Sequence, residues 1–182
     1  MRIYTKGGDD GTTGLFLGGR VSKADVLLDA CGDIDEAVAI LGVARGGCED
    51  ARLRGILFDR QRELFVAAAD LATNPEHRDR LEPAISLVTT TMVEALERLI
   101  DDLVAVRPLR PVFIVPGATS VSAAIDHART VVRRAERHVV DAQVSGHTVN
   151  PLVLAYLNRL SDLAFVLARF AADGYDEAPS HD

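Results

Sequence analysis

Residues 128–137 read ARTVVRRAER, and the spacing around them decides the fold. Ile125, Ala128, Val132, Ala135 and Val139 recur at i, i+3, i+7, i+10 and i+14, the period of one apolar stripe along an α-helix. At about 100° per residue, Glu136 lies roughly 60° from the centre of that stripe, Arg129 roughly 80° and Arg133 roughly 120°, all on one side, with Arg134 opposite. Arg129 and Arg133 stand one turn apart and repel unless something negative lies between them. A neighbouring carboxylate would serve, and so would a polyphosphate. Another reading makes the cluster a solvated face, with Glu136 paired to Arg133 for about 0.3–0.5 kcal/mol. Against it, two of these side chains border the buried stripe, and partly buried charge needs partners.

Four more helices are predicted around this one. Ser22, with Asp25 three residues on, predicts a capped start for a first helix carrying Val26, Ala30, Ile34, Ala37 and Leu41, stopped by Gly46-Gly47. A second runs from about Ala51 to Ala72 and ends before Asn74-Pro75. Thr91 and Glu94 form a predicted capping box for a third, with Leu96, Leu99, Ile100 and Leu103 on its apolar side. Residues 76–90 are ambiguous, and Pro83 argues against one continuous helix there. Pro108 and Pro111 bracket a rigid link before the extended-looking run Val112 to Val115. Thr119 or Ser120 caps the arginine helix, which runs to about Val144, and Asn150-Pro151 starts a fifth that fades near Ala172. Residues 1–20 show no helical period and read as a loop; residues 173–182 read as a frayed polar tail. The expectation is an all-α helical bundle forming one domain over residues 1–182.

Composition agrees with that class. The chain has 182 residues, 48% of them hydrophobic but only 5% aromatic and none Trp, which favours helices packed on aliphatic side chains. A formal net charge of −7 argues against nucleic acid as the main partner, so any polyanion must meet a local basic patch. Cys31 and Cys48 have neither metal-ligand nor redox spacing and read as buried thiols in a reducing compartment. The start MRIYTKGGDDG lacks an apolar signal core, and no run is read as long enough to cross a membrane. A cytoplasmic, soluble protein is expected.

Several other groups carry possible chemistry. In Tyr4-Thr5-Lys6-Gly7-Gly8-Asp9-Asp10-Gly11-Thr12-Thr13-Gly14, glycines let backbone N–H groups turn toward one anion while the threonines and Lys6 add donors and charge. The segment is not a Walker loop, and a flexible terminus is the competing reading. Asn158 and Asp162, one turn apart with Ser161 beside them, would read a nucleotide or form an ordinary polar helix face. Asp35 or Glu36 would supply a carboxylate to Arg129 or Arg133. Phe113 is either core or an aromatic wall against a flat ligand. No HExxH, CxxC, nucleophile elbow or GxGxxG occurs, and His127 and His138 do not make a metal site. Covalent catalysis by the protein is therefore not indicated, and a reactive cofactor or substrate must carry the chemistry.

Three segments together resemble the PduO-type ATP:cob(I)alamin (corrinoid) adenosyltransferases: YTKGGDDGTTGLFLGGRVSK at 4–23, FIVPGATSVSAAIDHARTVVRRAER at 113–137 and NPLVLAYLNRLSDLAFVLAR at 150–169. Weaker echoes are GDIDEA at 32–37, LFVAAADLAT at 64–73 and LERLIDDL at 96–103. The resemblance implies a five-helix bundle of ferritin-like up-down packing that assembles as a homotrimer with active sites between subunits. It implies transfer of the 5′-deoxyadenosyl group of ATP to the cobalt of cob(I)alamin, giving adenosylcobalamin (coenzyme vitamin B12) and triphosphate. By motif, Thr5, Lys6, Gly8, Asp9, Gly11, Thr12, Thr13 and Lys23 would wrap the triphosphate with Mg²⁺, so that residues 1–21 are an ATP-binding loop. Arg129 and Arg133 would hold phosphates, Arg129 pairing with Asp35 of a neighbouring subunit. Glu136 and Asn158 would contact the nucleoside, and Phe113 would sit beneath the corrin and displace its lower ligand. A reductase and a cobalamin-dependent acceptor enzyme are the implied partners.

The chain departs from the family's pattern at Gly7, Leu27, Cys31, Val38, Ala118 and Asp126. These positions lie near the implied ligands. They leave open an alternative in which a divergent relative binds ATP or adenosylcobalamin without efficient turnover, as a carrier or sensor. Asp126, three residues before Arg129, is the acid able to draw that arginine into a local pair.

Overall fold

The apolar stripe of the arginine helix is fully buried. Ile125, Ala128, Val132, Ala135 and Val139 are each at most 1% exposed. The computed structural model describes residues 3–172, 174, 178 and 179, so the predicted tail lies almost wholly outside the described residues. Among those described the chain is mostly helical, with α1 (Val26–Gly47), α2 (Ala51–Leu71), α3 (Thr90–Val106), α4 (Ser120–Val144) and α5 (Pro151–Ala171). A 3-10 turn at Pro75–Arg80 joins α2 to α3. The N-terminal loop contains a hairpin, β1 (Thr12–Gly14) and β2 (Arg20–Ser22), antiparallel with Thr13 opposite Val21.

The most extensive packing is α1 against α4, followed by α4 against α5. Both helices of the first pair carry alanine every seven residues. Ala30, Ala37 and Ala44 lie on α1 and Ala128, Ala135 and Ala142 on α4, all buried. Small side chains at that interval let two helix axes approach closely. Polar contacts fix the directions. Gln61 Nε2 donates to the Val38 carbonyl at 2.8 Å between α1 and α2, Asn158 bonds Glu136 between α5 and α4, and the Tyr156 hydroxyl donates to Glu63 Oε2 at 2.7 Å between α5 and α2. His147, after α4, lies 3.0 Å from Asp25, before α1. Arg159 meets Glu97, while Arg107 lies over the Phe170 ring, so α3 and α5 are parallel. Successive α-helices therefore alternate in direction.

The helix ends correct several expectations. Asp25, not Ser22, caps α1 by accepting from the Leu27 N–H at 2.9 Å, because Ser22 is taken by the hairpin. Helix α1 runs through both glycines to Gly47. The Thr91/Glu94 box does not form; α3 starts at Thr90, after Thr89, without a side-chain cap. The run at 112–115 belongs to the connection between α3 and α4 and forms no strand of the described sheet, though Val115 makes a single β-bridge. Thr119 and Asn150 do cap α4 and α5, and Thr119 forms a reciprocal box with Ser122.

Residues 76–90 are organised around Asp70, which is 0% exposed. Its carboxylate accepts from the Val88 N–H at 2.9 Å, from Asn150 Nδ2 at 2.8 Å and from Arg78. Burial raises the pKa of Glu63 and raises Tyr156 well above the ordinary phenol value. Cys48 is buried and Cys31 partly so, its thiol pushed up to about 11 by burial and then by Asp25. One expectation fails on length: α5 is long and apolar enough to cross a membrane. Yet 56% of its apolar window is buried within the chain, and Arg159, Asp162 and Arg169 lie along it. Packing inside the fold accounts for its composition.

Candidate active site

Arg129 and Arg133 rise from α4 into one cleft of about 490 Å³, shared with Arg159, Ser161, Asp162 and Phe165 of α5 and with Glu97 and Asp101 of α3. The sealed apolar stripe sets their angle, as the helical period predicts. The Arg133 guanidinium has no ion-pair partner among the described residues. Arg129 Nε lies 3.3 Å from Asp126 Oδ1, and Asp126 Oδ2 takes Arg169. The local pair that the Asp126 spacing suggested is therefore formed. Arg134 points the other way, onto Asp33 (2.8 Å) and Glu36 of α1.

Beside the cleft, Asn158 Nδ2 donates to Glu136 Oε1 at 3.0 Å, so the two residues assigned to a nucleoside are brought together. Asn158 Oδ1 accepts from Arg159, whose Nε also donates to Glu97 Oε1 at 2.8 Å. Positive charge at this face is thus rationed: Arg159 is already paired, whereas Arg133 is not.

The glycine-rich loop is held by its own side chains. Thr12 N–H and Oγ1 both donate to Asp10 Oδ1, at 2.9 and 2.8 Å. Arg20 Nε donates to Thr12 Oγ1 at 2.9 Å, and its terminal nitrogen reaches the Gly7 carbonyl. Lys23 Nζ donates to the Gly8 carbonyl at 2.8 Å. The Thr12 bonds hold the Asp10 carboxyl below the usual carboxylate range. A Cβ at Gly8 would lie 3.0 Å from Lys23 Nζ and 3.2 Å from the Thr12 carbonyl, which explains glycine there. Thr5, Lys6 and Asp9 are exposed, Thr13 is half-buried, and Gly11 has a left-handed φ of +80°.

None of these loop residues lines the arginine cleft, and neither does Asp35 or Phe113. Asp35 is exposed on α1 and makes no ion pair among the described residues. Phe113 is 87% exposed, so the core reading of that ring is excluded within one chain.

The family model for cobalamin adenosyltransferase matches residues 3–171. The chain belongs to that family. It is 44% identical over 178 residues to a corrinoid adenosyltransferase of Mycobacterium bovis, covering 93% of this chain and 88% of the relative. It is 40% identical to one from Citrobacter freundii, with 92% and 93% covered. Among solved structures it resembles a phenylalanine-to-alanine variant of the PduO-type ATP:corrinoid adenosyltransferase from Lactobacillus reuteri complexed with cobalamin and ATP. The TM-score is 0.86 at 31% identity, with 99% of both chains covered.

Against this family frame, sequence reasoning passed over Arg159, Glu97, Arg20 and Arg169. Arg159 stands between Asn158 and Asp162 in NRLSD, and its i+3 spacing to Asp162 was the available signal. Nothing local marks Glu97 or Arg169, whose partners lie on other helices.

Proposed function

We propose that the chain is an ATP:cob(I)alamin adenosyltransferase acting as a homotrimer of five-helix subunits with up-down packing. The observation that carries this reading is the pairing of Arg129 and Arg133 in one cleft with the Glu136–Asn158 contact beside it. A family match over nearly the whole chain and the likeness to a relative complexed with cobalamin and ATP support the same substrates.

In this reading the site is shared between subunits. The cleft of one subunit receives the triphosphate, and the loop of the next, with Thr5, Lys6, Gly8, Asp9, Gly11, Thr12, Thr13 and Lys23, closes on it. Such sharing explains why the loop lies away from its own cleft and why Asp35 stands unpaired on α1. Mg²⁺ would be held by the triphosphate oxygens together with one or two loop groups, Asp9 being the available carboxylate. Glu136 and Asn158 orient the nucleoside, and the exposed Phe113 ring takes the lower face of the corrin.

The chemistry asks little of the protein beyond placement. A reductase delivers one electron to cobalt(II), a step eased once Phe113 has removed the lower axial donor. The cobalt(I) electron pair attacks C5′ in line; the Co–C bond forms, the C5′–O bond breaks and its electron pair leaves on the triphosphate. Arg129, Arg133, Lys6 and Lys23 stabilise that charge, and no proton transfer is needed. The product would pass to a cobalamin-dependent acceptor enzyme in the cytoplasm. An anaerobic assay with ATP and reduced cobalamin tests this: a light-sensitive adenosyl product and one triphosphate per turnover are expected. Folded protein that forms no product with any corrinoid overturns it.

A further inference from the structure

We propose that Asp126 is a positioning residue that aims the Arg129 guanidinium into the cleft, an inference that rests on the ATP-binding role proposed above for Arg129. The Asp126 carboxylate is 3% exposed and divided between two arginines. Oδ2 takes Arg169, itself 5% exposed and lying over the Phe165 ring with its guanidinium carbon 5.0 Å from the centroid. That buried contact stops the carboxylate from turning. The second oxygen, Oδ1, meets Nε of Arg129, which lines the cleft, at 3.3 Å.

The choice of nitrogen decides what this pair does. Nε is the guanidinium nitrogen nearest the side-chain stem, so a carboxylate there fixes the last torsions of Arg129 while leaving both Nη groups for a ligand. A planar fork held at its base is preorganised for phosphate oxygens at its tip. Asp126 also supplies the negative charge that two arginines one turn apart require, and the nearby Arg133 side chain has no ion-pair partner among the described residues. The other acids of the cleft do not do this: Glu97 is on Arg159, Asp162 lies 3.8 Å from that same arginine, and Asp101 makes no ion pair among the described residues. Asp126 therefore equips Arg129 to bind rather than removing it from the site.

The test is a mutant cycle on the full chain, read by calorimetric ATP binding and by steady-state kinetics. Asp126→Asn keeps the shape but drops the charge and leaves one acceptor oxygen for two arginine donors. It should raise Kd and KM for ATP about ten-fold, the effect of one orienting charge-assisted hydrogen bond, with corrinoid KM unchanged. In the Arg129→Ala background the same substitution should do nothing further. Because Asp126 also holds Arg169, thermal unfolding is followed in each variant. The pair Asp126→Leu with Arg169→Met leaves neither buried charge opposite an apolar group, so it should unfold no earlier than Arg169→Met alone yet keep the weakened ATP binding. An undiminished ATP effect without Arg129, or a shift in stability with ATP binding untouched, overturns the proposal. Wild-type protein that binds no ATP overturns the reading beneath it as well.

Discussion

Arg129 stands on a helix whose inner face is sealed against α1 and α5, and its anchoring carboxylate is 3% exposed. Thr12, in the N-terminal loop, is held by Arg20 and Asp10, whose side chains are 49% and 63% exposed. Both regions carry phosphate-binding chemistry in the proposed site, but their order comes from different sources. In the cleft, burial of the alanine and valine stripe has already met the conformational cost of placing the arginines. In the loop, order rests on solvent-exposed hydrogen bonds, which water competes for. Those bonds also occupy donors that a triphosphate would use, including Thr12 Oγ1 and Lys23 Nζ. The cleft is a fixed template, whereas the loop must exchange its own bonds for those of a ligand.

The largest effect that would break this contrast is Arg133→Ala. It should lower kcat/KM for ATP by about 10²–10³-fold through lost stabilisation of the leaving triphosphate, while thermal unfolding stays unchanged because the guanidinium has no ion-pair partner among the described residues. A large loss of stability would show that Arg133 is structural. Next comes Ala135→Leu, at the 0% exposed seam of α1 and α4. Overpacking there should cost about 1–3 kcal/mol in urea unfolding and should weaken ATP binding only as far as the arginines move.

On the loop side, Gly8→Ala crowds the Thr12 carbonyl and Lys23. We expect KM for ATP to rise about three- to ten-fold, around 1 kcal/mol, with no change in unfolding temperature. A fall in that temperature would mean the loop helps hold the helices together. The smallest effect is the pH response of Asp10. Its pKa is lowered in the folded loop, so its contribution to loop order is complete above the ordinary carboxylate value and is lost as pH falls through the folded value. The protection of the Thr12 amide, its exchange rate corrected for the intrinsic pH dependence, should therefore fall on acidification, whereas protection along α4 should not.

The cleft was the more legible of the two regions, for a physical reason. A helix converts spacing into angle, so the stripe at Ile125 to Val139 placed Arg129 and Arg133 on one side and Arg134 on the other. The i−3 position of Asp126 likewise exposed its pairing with Arg129. What could not be read was any partner supplied by another helix: Asp33 and Glu36 for Arg134, Arg169 for Asp126, Glu97 for Arg159. At the start of α1, Ser22 and Asp25 are both good caps three residues apart. Only the hairpin, which claims Ser22, decides between them. The glycine-rich segment has no period at all, so its strands and the Arg20 clamp were invisible. Likewise the sequence showed no run of membrane-spanning length, yet α5 reaches it, with 56% of its apolar window buried in the fold.

The central claim is that the fixed cleft and the exchangeable loop meet across a subunit boundary to form one ATP site. Mixing two inactive variants tests it most directly, one lacking the cleft arginine (Arg133→Ala) and one lacking the loop charges (Lys6→Ala with Lys23→Ala). After subunit exchange at equal amounts, a site built from two subunits should be complete in roughly a quarter of cases, and adenosyl transfer should reappear to that extent. Mixed oligomers that exchange fully yet recover no activity would contradict the account.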